Sequence, residues 1–181
     1  MTKKTLFLDR DGVINKRIVG GYVKNWEQFN FLAGVLEAMP LLARKFDYCF
    51  VVTNQQGIGK GLMTVLDLET VHNNMLFEIT KKQGLINKVY FCPKLHIDKP
   101  HCRKPNIGMA EQAKLDFPDI NFKNSFMVGD SVSDMEFGFR LNMKTVFIDT
   151  KKDIDANQFS LINKKIDYCY SSLYEFALSL D

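Results

Sequence analysis

Two aspartates near the start of the chain, Asp9 and Asp11, are separated by one residue and are candidates for a shared chemical role. They directly follow the apolar run Leu6-Phe7-Leu8, which is too short for a helix and predicts a buried strand. Alternate residues of extended backbone point to opposite faces, so both carboxylates reach one site only if the chain curls there, which Gly12 permits. The plainer interpretation is an Asx turn. Because open α/β sheets bind ligands at this edge, the pair is a candidate site.

Three later strands also end in polar or charged residues. Thr53 closes the second predicted strand, Lys104 lies in the loop after the third, and Asp130 follows the fourth. In a parallel sheet these ends lie along one edge. Together they supply a nucleophilic carboxylate, a general acid and base, oxygen ligands for Mg²⁺, and a cation for phosphoryl oxygens. The set predicts phosphoryl transfer to water.

The order of elements predicts the α/β class. Apolar runs alternate with helical periodicity, which indicates a Rossmann-like parallel sheet with helices on both faces. Strands are expected at 6–8, 48–52, 88–92, 125–128, 144–148 and 167–170. Helices are expected at 34–45, 65–83, 108–115, 135–142 and 173–180. His72 falls on the second helix and is interpreted as an ordinary surface or packing residue.

Composition limits the class of protein. The chain has 181 residues, 46% hydrophobic and 25% charged, with a net charge of +3. These values predict one globular domain over residues 1–181. The weak, dispersed charge argues against a nucleic-acid partner and mildly favours anionic small molecules. No stretch approaches the roughly 20 apolar residues of a membrane span, so we expect a cytoplasmic protein without a membrane partner. A monomer is also expected.

The four cysteines are scattered without the spacing of a disulfide framework. They are Cys49, Cys92, Cys102 and Cys169. In a reducing compartment this pattern predicts thiols or metal ligands rather than disulfides.

Taken together, the polar motifs at the ends of the four strands resemble those of the haloacid dehalogenase (HAD) superfamily of phosphatases. Residues 9–12 match its first motif, Thr53 the second, Lys104 the third and residues 129–134 the fourth. The local sequences at 8–15 (LDRDGVIN), 21–23 (GYV), 52–58 (VTNQQGI) and 102–105 (CRKP) are similar to the group of D-glycero-D-manno-heptose 1,7-bisphosphate and histidinol-phosphate phosphatases. The resemblance implies a capless HAD fold, and the intervals between the motifs leave no room for a large inserted domain.

The resemblance also implies roles for individual residues. Asp9 would be the nucleophile and Asp11 the general acid and base. Asp9, the backbone carbonyl of Asp11 and Asp130 would bind Mg²⁺. The transferring phosphoryl group would be held by Thr53, Asn54 and Lys104. The substrate would be contacted by Arg103, and the entrance lined by Val19, Gly20, Gly21, Tyr22, Gln55 and Gln56. Arg10 is expected to point away and pair at the surface.

A structural zinc is a further implication, and here the sequence departs from the group. The group holds zinc with a Cys-x-His and a Cys-x-Cys pair, but Lys94 and Pro100 replace one ligand of each. A rearranged site of Cys92, His96, His101 and Cys102 is chemically possible, since Cys₂His₂ suits Zn²⁺. Adjacent His101 and Cys102 would both have to turn toward one ion, and the balance favours a loop of free thiols.

The substrate class and two alternative functions stay open at this point. The glycine loop at 20–22 and Arg103 favour a sugar bisphosphate, because the arginine is available to a second anion. Histidinol phosphate is the alternative, although acidic residues for its ammonium groups are not evident. A phospho-accepting receiver is disfavoured because Asp11 would promote turnover. An inactive binding module is disfavoured by the intact catalytic set.

Overall fold

Six short apolar segments form a single parallel sheet. The computed structural model describes residues 3–149 and 165–180. The strands are β1 (Lys3–Leu8), β2 (Tyr48–Asn54), β3 (Lys88–Cys92), β4 (Ile120–Gly129), β5 (Lys144–Ile148) and β6 (Tyr168–Tyr170). Their order in the sheet is β3-β2-β1-β4-β5-β6, and every neighbouring pair is parallel. The predicted fold class is confirmed.

The helices cover both faces of the sheet. They are α1 (Val35–Lys45), α2 (Val65–Lys81), α3 (Gly108–Asp116), α4 (Val132–Arg140) and α5 (Leu173–Leu178). Alternate residues of β1 point to opposite faces. Leu6 and Leu8 belong to the core cluster that also contains buried residues of α1, α2 and α5. Phe7 belongs to a second cluster with buried residues of α3 and α4.

The direction of the chain changes at the centre of the sheet. From β1 the chain runs outward through β2 and β3, and then crosses back to place β4 on the other side of β1. Parallel α/β sheets bind ligands where the strand order reverses in this way. The crevice at the carboxyl ends of β1 and β4 is therefore where a site is expected.

Three elements begin earlier than predicted, and one of these differences concerns the site. β1 starts at Lys3 rather than 6. β4 starts at Ile120 rather than 125, because residues 121–124 are polar apart from Phe122 and interrupt the apolar pattern. α4 starts at Val132 rather than 135, because Ser131 and Asp134 form a capping box at its first turn. The cap places Asp134 directly beside the crevice.

None of the helices in the described part of the chain has both the length and the apolar character needed to cross a membrane.

Candidate active site

The carboxyl ends of four strands surround one cavity of about 440 Å³. Its walls come from the turn after β1, the end of β2, the loop after β3 and the start of α4. The lining residues are Asp9, Asp11, Arg17, Ile18, Gly20, Gly21, Tyr22, Val23, Thr53, Asn54, Gln56, Lys60, Arg103, Lys104, Ser131, Ser133 and Asp134. Residues up to 125 positions apart in sequence therefore share one surface.

A buried cation lies between two carboxylates at the floor of the cavity. Lys104 Nζ is 2.7 Å from Asp9 Oδ1 and 2.6 Å from Asp134 Oδ1, and all three side chains are almost inaccessible. Burial lowers the pKa of Lys104, but the two carboxylates outweigh it and the net shift is upward. Burial raises the pKa of Asp9, and repulsion from nearby carboxylates raises it further. The positive charge of Lys104 lowers this pKa, but by less. A divalent cation beside Asp9 would favour its ionised form.

The donor set at this point fits a hard divalent cation. Ligand oxygens of Asp9, Asp130 and Asp134 lie within 4.8 Å of one another. Asp134 directs one oxygen at Lys104 and the other at the cap hydroxyl of Ser131, at 2.6 Å, which leaves Asp9 and Asp130 as the carboxylates best placed for metal. Oxygen ligands from one or two carboxylates are what Mg²⁺ requires.

Gly12 allows Asp130 to approach the turn after β1. Its φ of +103° lies in a region that L side chains rarely adopt, and a Cβ there would be 2.0 Å from Asp130 Oδ2. A side chain at this position would collide with the Asp130 carboxylate. Two features therefore require glycine at position 12: the positive φ of its backbone and the close approach of Asp130.

The second aspartate, Asp11, is held by a different set of partners. Arg10 Nη2 donates to both of its oxygens at 2.8 Å, and Asn15 and Gln55 donate further hydrogen bonds. Burial raises the pKa of Asp11, but the charge of Arg10 and these hydrogen bonds outweigh it and bring the pKa below its usual value. Asp11 is therefore ionised at neutral pH.

The surface position predicted for Arg10 is wrong. Its side chain is 0% exposed and its guanidinium bridges Asp11 and His72, with Nη1 at 3.2 Å from His72 Nε2. A guanidinium only donates, so His72 accepts through Nε2 and is neutral. A buried charge is tolerated when it has such partners. Arg10 and His72 thus support the position of Asp11 from behind.

His72 is expected to make the protein sensitive to mild acid. Burial and the neighbouring Arg10 lower the pKa of His72 from 6.5 to about 3. Below about pH 6.5, His72 is therefore protonated in the unfolded chain but stays neutral in the folded chain. The free energy of unfolding then falls by up to about 1.4 kcal/mol per pH unit, until the pH reaches the pKa of His72 in the folded protein. His72→Gln, which can still accept from Arg10, should flatten this dependence.

Urea unfolding at neutral pH and at about pH 5 measures the effect. The matched control is His96→Gln, since His96 is exposed. If His72→Gln and wild type lost the same stability between the two pH values, the neutral buried state of His72 would be contradicted.

The last residue of β2 and the two that follow it occupy different positions around the cavity. Asn54 brackets the backbone of Lys104, accepting from its N–H at 3.0 Å and donating to its carbonyl at 3.2 Å. Gln55 is buried and donates to Thr53 Oγ1 and Asp11, each at 2.8 Å, so it lies behind the cavity wall rather than at the entrance as predicted. Gln56 lines the cavity and accepts from the His96 N–H.

The entrance is more cationic than the sequence motifs predict. Arg103, which is expected to contact the substrate, lines the cavity, and its Nε and Nη1 find no hydrogen-bond partner among the described residues. Lys60 Nζ stands 5.5 Å from the ring centroid of Tyr22. Arg17 Nη2 is 2.9 Å from Asp130 Oδ1. Lys60 and Arg17 received no role from the sequence, although both flank glycine-bearing loops at strand ends. Val19, predicted for this wall, is 91% exposed and absent from the lining.

The loop after β3 contains neither of the two arrangements expected from the sequence, which were a rearranged zinc site and a loop of free thiols. Cys92 and Cys102 form a disulfide, so the prediction of thiols or zinc ligands is wrong for this pair. Their Cα atoms are 5.4 Å apart because the loop folds back through a 3₁₀ turn, a proximity that spacing along the chain does not reveal.

The rearranged zinc site is not assembled either. His101 pairs with Glu111, and within residues 3–149 and 165–180 the one cluster with metal-ligand spacing is Asp9, Asp130 and Asp134. Cys49 and Cys169 are free thiols, as predicted.

The known proteins that this chain resembles in sequence are HAD-like hydrolases and heptose bisphosphate phosphatases. A family model described as HAD-hydrolase-like matches residues 101–176. The chain is 35% identical to a Mycobacterium tuberculosis protein over 97% of its length and 90% of the relative, and 39% identical to a Campylobacter jejuni protein over 93% and 96%. Both relatives are named D-glycero-alpha-D-manno-heptose-1,7-bisphosphate 7-phosphatase. A Haemophilus ducreyi relative, 34% identical over 97% of both chains, is named for the beta anomer.

Solved structures show the same architecture. A D,D-heptose 1,7-bisphosphate phosphatase from B. bronchiseptica, complexed with magnesium and phosphate, aligns with a TM-score of 0.84 at 25% identity, covering 98% of this chain and 97% of that one. The corresponding enzyme from Burkholderia thailandensis aligns with a TM-score of 0.67 at 25% identity, with the same coverage.

Proposed function

The chain belongs to the HAD-like hydrolase family, in the group of heptose-1,7-bisphosphate 7-phosphatases, and we propose that it is a magnesium-dependent phosphatase that acts through an aspartyl phosphate on Asp9. The observation that carries this proposal is the buried cluster in which Lys104 lies between Asp9 and Asp134, with Asp130 close by. A nucleophilic carboxylate, a fixed cation and a metal-ligand set within one cavity match the needs of phosphoryl transfer. The whole activity would be carried by one domain without a cap.

The first step is attack of Asp9 on phosphorus. The bond to the leaving sugar oxygen breaks, and Asp11 gives that oxygen a proton. Asp11 is held ionised here by Arg10, but a bound phosphate dianion raises the pKa of a neighbouring carboxyl, which would let Asp11 carry the proton. Lys104 and Thr53 would hydrogen-bond the equatorial oxygens.

In the second step water replaces Asp9 on phosphorus. Asp11, now deprotonated, removes a proton from the attacking water, and the acyl phosphate bond breaks to release inorganic phosphate and regenerate Asp9. When held by Asp9, Asp130 and the Asp11 carbonyl, Mg²⁺ supplies positive charge to the phosphoryl oxygens. Asn54 would act on Lys104 rather than on the substrate, by holding its backbone.

The substrate that the site supports best is D-glycero-D-manno-heptose 1,7-bisphosphate. The phosphate that is removed would be bound by Lys104 at the floor of the cavity. Arg103 and Lys60 add positive charge at the entrance, where a second phosphate could bind. Two buried guanidinium nitrogens of Arg103 are without hydrogen-bond partners among the described residues, which suits a second anionic group. The names of the relatives point to the same substrate class and to loss of the phosphate at C7.

A substrate panel tests the proposal. We expect kcat/KM for one anomer of the 1,7-bisphosphate to exceed that for heptose 7-phosphate and for histidinol phosphate by about tenfold or more, the value of one charge-assisted contact. The product is identified as the 1-phosphate by ³¹P NMR. A preference for histidinol phosphate would overturn the substrate, and absence of Mg²⁺-dependent turnover on every member of the panel would overturn the phosphatase.

A further inference from the structure

Arg17 pairs with one of the carboxylates proposed to hold the metal. Its Nη2 lies 2.9 Å from Asp130 Oδ1, with Asp130 only 3% exposed and the Arg17 side chain 38% exposed. The two residues are 113 positions apart, so the contact is created by the fold. Arg17 also lines the cavity, on the same loop as Gly20 and Gly21. One cationic side chain therefore contacts both the metal site and the substrate space.

We propose that Arg17 exchanges partners during the reaction: it neutralises Asp130 while the metal is absent, and binds the second phosphate of the substrate once Mg²⁺ is held by Asp130. The second half of this inference rests on the proposed function. The first half concerns only this chain and a divalent cation.

Electrostatics favours the exchange. A guanidinium and Mg²⁺ sharing one carboxylate would be two cations within a few ångströms in a largely buried site, where charges are poorly screened. Binding of the metal therefore weakens the pair between Arg17 and Asp130. The arginine in turn opposes binding of the metal for as long as it stays there.

The released side chain has a suitable destination. Arg17 is long, partly exposed and attached to a loop with glycines at 20 and 21, and Gly20 has open space around it. Its planar guanidinium can donate two parallel hydrogen bonds to a phosphate. Arg103 and Lys60 line the same cavity, so Arg17 would join an entrance that is already cationic.

The exchange makes binding of metal and binding of bisphosphate mutually dependent. When either Mg²⁺ or the bisphosphate has displaced Arg17 from Asp130, the second of the two ligands binds without having to break that ion pair. Such coupling between two binding sites is reciprocal. Mg²⁺ should therefore tighten the bisphosphate, and the bisphosphate should tighten Mg²⁺. A substrate with one phosphate would show less of this coupling.

Calorimetric titration of the metal-free protein with MgCl₂ alone tests the first half. Arg17→Gln should bind Mg²⁺ about fivefold more tightly than wild type, within the usual range of coupling between sites. Arg17→Lys, which keeps the charge, should stay close to wild type. The matched control is Lys16→Gln, which removes an exposed positive charge one residue away. Unchanged or weaker Mg²⁺ binding by Arg17→Gln would overturn the exchange.

Steady-state kinetics tests the second half. At saturating Mg²⁺, Arg17→Gln should raise KM for the bisphosphate about tenfold, the loss of one charge-assisted contact, with kcat little changed. KM for heptose 7-phosphate should stay at the wild-type value. An equal rise for both substrates would overturn the contact with the second phosphate. If wild type hydrolyses neither substrate, the proposed function fails, and the metal titration still decides whether Arg17 competes at Asp130.

Discussion

Replacement of Asp9 by asparagine is expected to reduce kcat/KM by at least about four orders of magnitude, because an amide cannot form the acyl phosphate. The change is nearly isosteric, and the amide oxygen can still accept from Lys104. It also removes one negative charge from a site where burial and neighbouring carboxylates already disfavour the ionised form. We therefore expect Asp9→Asn to unfold at the same temperature as wild type or higher.

The measurement is Mg²⁺-dependent phosphate release, together with thermal unfolding of the same preparations. Asp98→Asn serves as the control, since Asp98 is an exposed acid in the loop after β3. That variant should keep wild-type activity. More than about a hundredth of wild-type kcat/KM in a folded Asp9→Asn protein would show that another group is the nucleophile.

Replacement of Asp11 by asparagine is expected to lower kcat by about 10²- to 10⁴-fold, the usual contribution of a positioned acid and base. Without it the water that hydrolyses the phosphoenzyme loses its base. An aryl phosphate, whose leaving group needs no proton, should still phosphorylate Asp9. Asp11→Asn incubated with p-nitrophenyl phosphate should therefore show a burst of one equivalent and accumulate phosphoenzyme.

The variant also has a structural cost that must be separated from the chemistry. Arg10 is fully buried and pairs with both oxygens of Asp11, so an uncharged amide would leave its charge poorly matched. We expect a loss of about 1–3 kcal/mol in the free energy of unfolding. Asn15→Ala, which removes a different partner of Asp11 and keeps the carboxylate, is the control for disturbed packing.

The same experiment distinguishes the receiver alternative. A receiver holds its phosphoryl group for long periods, and an acid two residues after the nucleophile would matter little. Wild-type turnover that continues unchanged in folded Asp11→Asn protein would contradict the role given to Asp11. A stable phosphoenzyme in wild type itself would favour the receiver.

Local sequence was sufficient to predict the fold class and to indicate the edge of the sheet where the candidate site lies. Alternating apolar runs and helical periodicity define a parallel sheet, and a parallel sheet brings the residues after its strands to one edge. Asp9, Thr53, Lys104 and the loop at 20–22 could therefore be expected to meet, since each lies at the end of an apolar run or in the loop that follows one. The α4 start was missed because its signal was a capping box rather than periodicity.

Only the tertiary structure decided which side chains touch. The pairs of Arg10 with His72, Lys104 with Asp9 and Arg17 with Asp130 join residues 62, 95 and 113 positions apart. The burial of Arg10 and the disulfide across the loop after β3 have the same origin. The physical reason is that periodicity and motifs describe neighbours along the chain, whereas ion pairing and burial depend on distances that arise only when the helices close over the sheet.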